Sequence, residues 1–252
     1  RKAKMHQPAV HNHILGQCKK LTNAEPMTPK AQTRNGGNGG RPFFRKFPPP
    51  PELGKDAMNT TFHAFCLAAP RSGEGKTTTG IALMRALARR RLKVQSFKCG
   101  PDYIDPMFHR TVLGVPSRNL DTFFTGERLT KSLFARAAEG ADLAVMEGVM
   151  GLYDGLGGIR KEGSSYHLAE VTKTPVILVV NAHGMGRSIL PVIRGFLDYD
   201  RHHLIRGVIL NQTSVTFCET IRLEIERELS LPVLGCLPKL KELHWDSRHL
   251  GL

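Results

Sequence analysis

From Met58 onward, short apolar runs alternate with longer stretches in which apolar residues recur every three to four positions. The runs at about 62–69, 93–98, 142–147, 175–180, 206–211 and 232–236 are short and mainly apolar, 93–98 the least so, the pattern of strands covered on both faces. Between them, segments at about 76–91, 105–113, 128–140, 164–173, 187–199 and 217–230 carry helical periodicity. Pro191 and Gly195 interrupt the fifth of these and blur its limits. This alternation predicts an α/β fold with a doubly wound, mostly parallel sheet. In such a sheet ligands gather at the carboxyl ends of the strands, so the loops there are the ones to inspect.

The first apolar run ends in Ala69-Pro70-Arg71-Ser72-Gly73-Glu74-Gly75, and Lys76-Thr77-Thr78 opens the helical pattern Ile81, Leu83, Met84, Leu87, Ala88. Strand, glycine-bearing loop and helix in that order predict a nucleotide-binding P-loop. Gly73, Glu74 and Gly75 bring backbone N–H groups to phosphate oxygens, Lys76 supplies positive charge for the β- and γ-phosphates, the Thr77 hydroxyl suits Mg²⁺, and Thr78 contacts phosphate beside it. The helix dipole adds to the same field. Strict G-x-x-x-x-G-K-[ST] spacing would put its first glycine at Pro70. Ala69, one residue earlier, gives a loop one residue longer, of the kind seen in dethiobiotin synthetase-like ATPases. The plain alternative is a glycine-rich turn ahead of an ordinary amphipathic helix; the strand before and the helix after favour the nucleotide.

Further candidates sit at other strand ends. Phe97-Lys98-Cys99-Gly100-Pro101-Asp102-Tyr103-Ile104-Asp105-Pro106 follows the second strand, with His109 one turn on. Asp102 and Asp105 can direct one carboxylate to Mg²⁺ and the other to a substrate, or either can serve as a helix cap. Glu147 closes the third strand where a nucleotide-binding protein needs an acid to hold Mg²⁺ through water, although an acid at a strand end is often only solvated. The glycine-rich loop after it carries Tyr153 and Asp154. Asn211 ends the fifth strand, and an amide that donates and accepts is a candidate adenine reader. His183 and Arg187 are candidates for substrate carboxylates, against the ordinary alternative of exposed loop residues.

The net charge of +14 looks like a nucleic-acid signal until it is divided. Residues 1–57 hold 11 of the Lys and Arg and 3 of the acids, so the remainder carries only +6, compatible with anionic small molecules. That segment also has 8 of the 16 prolines, Asn35-Gly36-Gly37-Asn38-Gly39-Gly40 and Pro48-Pro49-Pro50-Pro51, a composition that predicts disorder. An organelle presequence would need an amphipathic pattern that is missing, and a nucleic-acid arm would need less scattered basic residues. The favoured expectation is a non-native upstream segment, with the functional chain beginning at Met58. His6, His11 and His13 read as part of that solvated tail. Cys18, Cys66, Cys99, Cys218 and Cys236 form no C-x-x-C pair, which points to a reducing, cytoplasmic setting and away from structural zinc. No apolar run approaches membrane-span length and no secretory signal is visible.

Taken together, these motifs resemble the amino-terminal domain of the cobyrinic acid a,c-diamide synthase family over about residues 60–252. The stretches that carry the resemblance are Gly73-Glu74-Gly75-Lys76-Thr77-Thr78, Phe97 to Pro106, Asn119-Leu120-Asp121, Glu147-Gly148-Val149-Met150-Gly151-Leu152-Tyr153-Asp154-Gly155 and Arg248-His249-Leu250-Gly251-Leu252. The resemblance implies an ATP- and Mg²⁺-dependent ligase that amidates two carboxylates of a tetrapyrrole polycarboxylate in cobalamin biosynthesis. It implies Thr77, Asp102 and Glu147 for the metal, and Lys76, Asp105 and Asp154 for the reaction. Family members continue past Leu252 into a glutamine amidotransferase domain, where this chain stops. The expectation is therefore ATP and substrate binding with free ammonia, and no glutamine hydrolysis.

Nickel-sirohydrochlorin a,c-diamide synthase, cobyric acid synthase and dethiobiotin synthetase share this phosphate chemistry and differ in substrate. A partitioning-type switch ATPase would want lysine at position 71, where Arg71 stands. A basic nucleic-acid-binding protein rests on the tail alone, so no specific nucleic acid and no membrane are expected. A homodimer is left open.

Overall fold

A computed structural model describes residues 62–239. The expectations for residues 1–57, for a start at Met58 and for the segment Arg248 to Leu252 lie outside the described residues. In chain order the elements are β1 (His63–Ala68), α1 (Lys76–Arg89), β2 (Val94–Cys99), α2 (Ile104–Thr111), β3 (Ser117–Leu120), α3 (Thr122–Ala138), β4 (Leu143–Glu147), α4 (Ser165–Thr172), β5 (Val176–Asn181), α5 (Ile189–Tyr199), β6 (Ile205–Asn211), α6 (Val215–Leu229) and β7 (Val233–Leu237). A 3₁₀ turn, Leu156–Gly158, lies in the loop after β4.

The strands form one seven-stranded sheet in the order β3-β2-β4-β1-β5-β6-β7. Every pairing is parallel, so the expected mostly parallel sheet is fully parallel among the described residues. From β1 the chain first builds outward through β2 and β3, then returns to β4 and crosses to β5. The P-loop therefore emerges between the carboxyl ends of β4 and β5, at the topological switch where ligands bind.

Both faces of the sheet are covered. Cys66 and Ala68 of β1 join one apolar cluster with Phe134, Leu168, Ile189 and Ile193 from α3, α4 and α5. Phe65 and Leu67, the alternate positions, join a second with Leu83, Met84 and Leu87 of α1. This two-sided burial is why the central strands β1, β4 and β5 read as nearly unbroken apolar runs.

Three features depart from the sequence reading. β3, Ser117-Arg118-Asn119-Leu120, is a strand that hydrophobic patterning does not reveal, because it is four residues long and polar at three of them. Helix α3 begins at Thr122 instead of 128: the Asp121 carboxylate accepts from the N–H groups of Phe123 and Phe124. Gly126, at φ 67° and ψ 167°, then breaks the helical path, so the periodicity shows only beyond it. Finally, Cys218 of α6 and Cys236 of β7 are joined in a disulfide, their Cα atoms 6.3 Å apart. The free thiols expected from cysteine spacing are thus corrected for this pair, which tertiary packing brings together across 18 residues of sequence. Cys66 and Cys99 are free and buried. Among the described residues, no helix is long and apolar enough to cross a membrane.

Candidate active site

The P-loop turns through two left-handed glycines, Gly73 at φ 81° and Gly75 at φ 93°. Gly75 is fixed twice over, since a Cβ there would also collide with the Asn211 amide. Asn211 donates from Nδ2 to the Glu74 carbonyl (2.9 Å), and its Oδ1 accepts from the Gln212 N–H (3.0 Å). The buried Glu74 carboxylate accepts from the Asn181 N–H (2.5 Å) and from Arg71 Nε (2.8 Å). The loop is thereby tied to the ends of β5 and β6. Both ends of the Asn211 amide are engaged with backbone, and the Glu74 side chain turns back towards Asn181.

On the other side of α1 the site is charged. The Thr77 hydroxyl donates to Glu147 Oε1 (2.5 Å). Lys98, at the end of β2, is buried with its ammonium 2.5 Å from Asp105 Oδ2, 2.9 Å from Glu147 Oε1 and 3.7 Å from Asp102 Oδ2. Burial works against charge on Lys98, but Glu147 and Asp105 outweigh it and raise its pKa above the ordinary lysine value. Burial alone would push Glu147 up as well; contacts from His109, Lys98 and Thr77 hold it down at about 2. Asp105 goes the other way, raised by burial and by Glu147. Asp102 takes up the cap reading: Oδ1 accepts from the N–H groups of Ile104 (2.9 Å) and Asp105 (3.3 Å), while Oδ2 faces Lys98.

Lys76 is nearly buried, donating to the Met150 carbonyl (2.5 Å) and the Arg71 carbonyl (3.4 Å). Burial and the nearby Lys98 lower its pKa. Met150 lies in the loop after β4, which runs alongside the P-loop: Gly148 N–H donates to Leu67 O and Leu152 N–H to Ala69 O, both at 2.8 Å. Asp154 closes this loop by accepting from the Gly151 N–H (2.8 Å). Thr78 is exposed on the first turn of α1.

Lys76, Thr77, Asp102, Asp105 and Glu147 thus converge with Lys98, and the loop bearing Asp154 reaches them through Met150. His183 and Arg187 do not join them. His183 is exposed, and Arg187 pairs with Glu224 (2.9 Å) and Glu228 (2.5 Å) on the outside of α5 and α6. A small cavity of about 220 Å³ there, lined by Arg187, Leu190 and Glu228, holds none of the converging residues. Two members of the site had no role assigned from sequence. Lys98 carries a signal, being a lysine at the end of a strand-like run, next to Phe97 and Cys99; His109, fully buried 3.5 Å from Glu147, carries none beyond its place in the motif.

Residues 65–252 match the sequence model described as the CobQ/CobB/MinD/ParA nucleotide binding domain. The chain belongs to this family. Within it, the cobyrinate a,c-diamide synthase of Picrophilus torridus is 41% identical over 191 residues, spanning 75% of this chain and 43% of the relative. The hydrogenobyrinate a,c-diamide synthase of Streptomyces coelicolor is 44% identical over 186 residues, spanning 74% and 38%. The Caldanaerobacter subterraneus cobyrinate a,c-diamide synthase is 46% identical over 189 residues, 75% of this chain and 41% of its own. The chain therefore spans well under half the length of these curated relatives. Chloroplast FtsY from Physcomitrella patens shares the P-loop fold, with a TM-score of 0.52 at 16% identity over 86% of this chain and 64% of its own. As a member of this nucleotide-binding family, the chain is a P-loop nucleotide-binding domain.

Proposed function

We propose that this chain is the ATP-dependent amidating portion of a cobyrinate a,c-diamide synthase, acting on two carboxylates of a corrin-type tetrapyrrole. One observation carries the reading: Glu147 from the end of β4 and Asp105 from the helix after β2 meet at Lys98, and Glu147 also takes the hydroxyl of the P-loop Thr77. The names of the relatives support the substrate class.

A carboxylate resists ammonia because it is anionic and lacks a leaving group. In the proposed reaction a substrate carboxylate oxygen attacks the γ-phosphorus of ATP, the bond to the β-bridging oxygen breaks, and ADP leaves. Ammonia then attacks the acyl carbon of the acyl phosphate; inorganic phosphate leaves and the nitrogen loses a proton, giving the amide.

Lys76 would exchange its two backbone carbonyls for phosphate oxygens, keeping an ammonium on the bond that breaks. Lys98 would serve the same charge from the β2 side while holding Asp105 and Glu147 in place. Asp105 and Asp154 would face the substrate and its acyl phosphate. Asn211 would meet the base with the amide that now grips the loop.

Thr77, Asp102 and Glu147 fit magnesium in donor chemistry, a hydroxyl and two carboxylates. Glu147 Oε1 already takes the Thr77 hydroxyl, so a hydrated cation beside Thr77 would meet that oxygen. Among the described residues no three His, Cys, Asp or Glu form a ready-made metal cage. Magnesium there would neutralise charge on the β- and γ-phosphoryl oxygens.

Ammonia in the proposed reaction comes from glutamine hydrolysed outside the residues present here. Burial pushes the Cys99 thiol up to about 12 and Cys66 higher still, opposite to what a glutaminase nucleophile needs. The test is a mass-spectrometric product assay with ATP, Mg²⁺, ammonium and either cobyrinic or hydrogenobyrinic acid. Replacement of OH by NH₂ at two carboxyls is the expected result; ATP binding without any amide product from either acid would overturn the proposal.

A further inference from the structure

His109 lies in the last turn of α2, fully buried, where an apolar residue would pack without any polar atom to satisfy. Its Nδ1 is 3.1 Å from Ser96 Oγ and 3.2 Å from Ser117 Oγ. Those serines are register partners on β2 and β3, so the two hydroxyls converge on one ring nitrogen. The opposite nitrogen, Nε2, faces Glu147 Oε2 at 3.5 Å, and neither of these two buried atoms has a hydrogen-bond partner.

This arrangement selects a tautomer. A serine O–H can donate to Nδ1 when that nitrogen is bare, which leaves the proton on Nε2, directed at a carboxylate. The reverse tautomer would set a lone pair against the Glu147 oxygen. The short polar strand β3 thereby acquires a purpose: it supplies Ser117 to orient the ring.

We propose that His109 is a positioning residue, fixed by Ser96 and Ser117, whose Nε2–H holds the Glu147 carboxylate in the orientation that serves magnesium at the P-loop. It acts only through Glu147. The inference rests on the nucleotide and metal reading above and goes beyond it by adding the Ser96–His109–Ser117 support.

The test compares two side chains of similar reach to opposite ring nitrogens. H109N keeps an amide near the two serines and lacks an atom facing Glu147; H109Q extends a donor to where Nε2 stands. Binding of Mn²⁺ together with a non-hydrolysable ATP analogue is measured by electron paramagnetic resonance on the full chain. H109N is expected to weaken Mn²⁺ by about tenfold or more, with H109Q restoring it to within about threefold. Equal weakening by both variants assigns His109 to packing and overturns the proposal, as does unaltered Mn²⁺ binding in H109N. Wild-type protein that binds the analogue but takes up no Mn²⁺ with it overturns the metal reading together with this one. If neither variant folds, ¹⁵N spectra of histidine-labelled wild-type protein decide: a proton on Nε2 supports the proposal, and a bare Nε2 overturns it.

Discussion

The two flanks of the P-loop are built from different materials. Towards β5 and β6 the loop is held by contacts that involve backbone at one end: Asn211 to the Glu74 carbonyl, and the Glu74 carboxylate to the Asn181 N–H. Towards β4 and β2 backbone contacts are present too, Gly148 to Leu67 O and Leu152 to Ala69 O, but this flank adds pairs between charged or hydroxyl side chains: Thr77 to Glu147, and Lys98 to Asp105 and Glu147. Backbone contacts fix the path of the loop, whereas side-chain ion pairs can be exchanged for phosphate, metal and substrate without refolding it. One flank is scaffold and the other is chemistry.

Substitutions should separate the two. The largest effect is expected at Lys98. K98M leaves Asp105 and Glu147 buried without their shared cation, which should destabilise the domain by about 3–5 kcal/mol in urea denaturation. Amide formation should fall by about a hundredfold or more. Adding D105N should recover part of the stability and none of the activity.

Next comes G75A on the scaffold flank. The left-handed backbone and the collision with Asn211 should together cost about 1–3 kcal/mol, read by thermal melting, and nucleotide affinity should fall with it. Removing the amide in G75A/N211A should relieve the collision while the backbone strain stays.

E74Q is a smaller test of the same flank. Loss of the charge behind two hydrogen bonds should cost about 1 kcal/mol, with ATP-dependent turnover kept wherever the protein is folded. R187A should change neither melting nor turnover measurably, because its ion pairs lie on the solvent face of α5 and α6.

The chemical flank was more legible in the sequence than the scaffold one. Glu147 closes β4, Asp102 and Asp105 follow closely on the end of β2, and the α/β alternation says where strand ends point. Lys76 and Thr77 sit in a motif whose geometry is local. Asn211 was visible as a polar residue closing β6, but its grip on the Glu74 carbonyl spans 137 positions and no pattern encodes it. The short strand β3 was hidden because Ser117, Arg118 and Asn119 give no apolar run, and the Cys218–Cys236 pair because spacing says nothing of packing. Lys98 gives a signal of its own, since a buried cation in a strand must have an anionic partner.

The lodging of the Lys76 ammonium between the carbonyls of Met150 and Arg71 has a thermodynamic corollary. Any anion arriving at that ammonium replaces bonds already made, so its measured affinity is the surplus of the new contacts over the old. A ligand with one phosphoryl group fewer faces the same displacement with fewer oxygens to offset it. Discrimination between tri- and diphosphate is thereby sharpened before any catalytic group takes part.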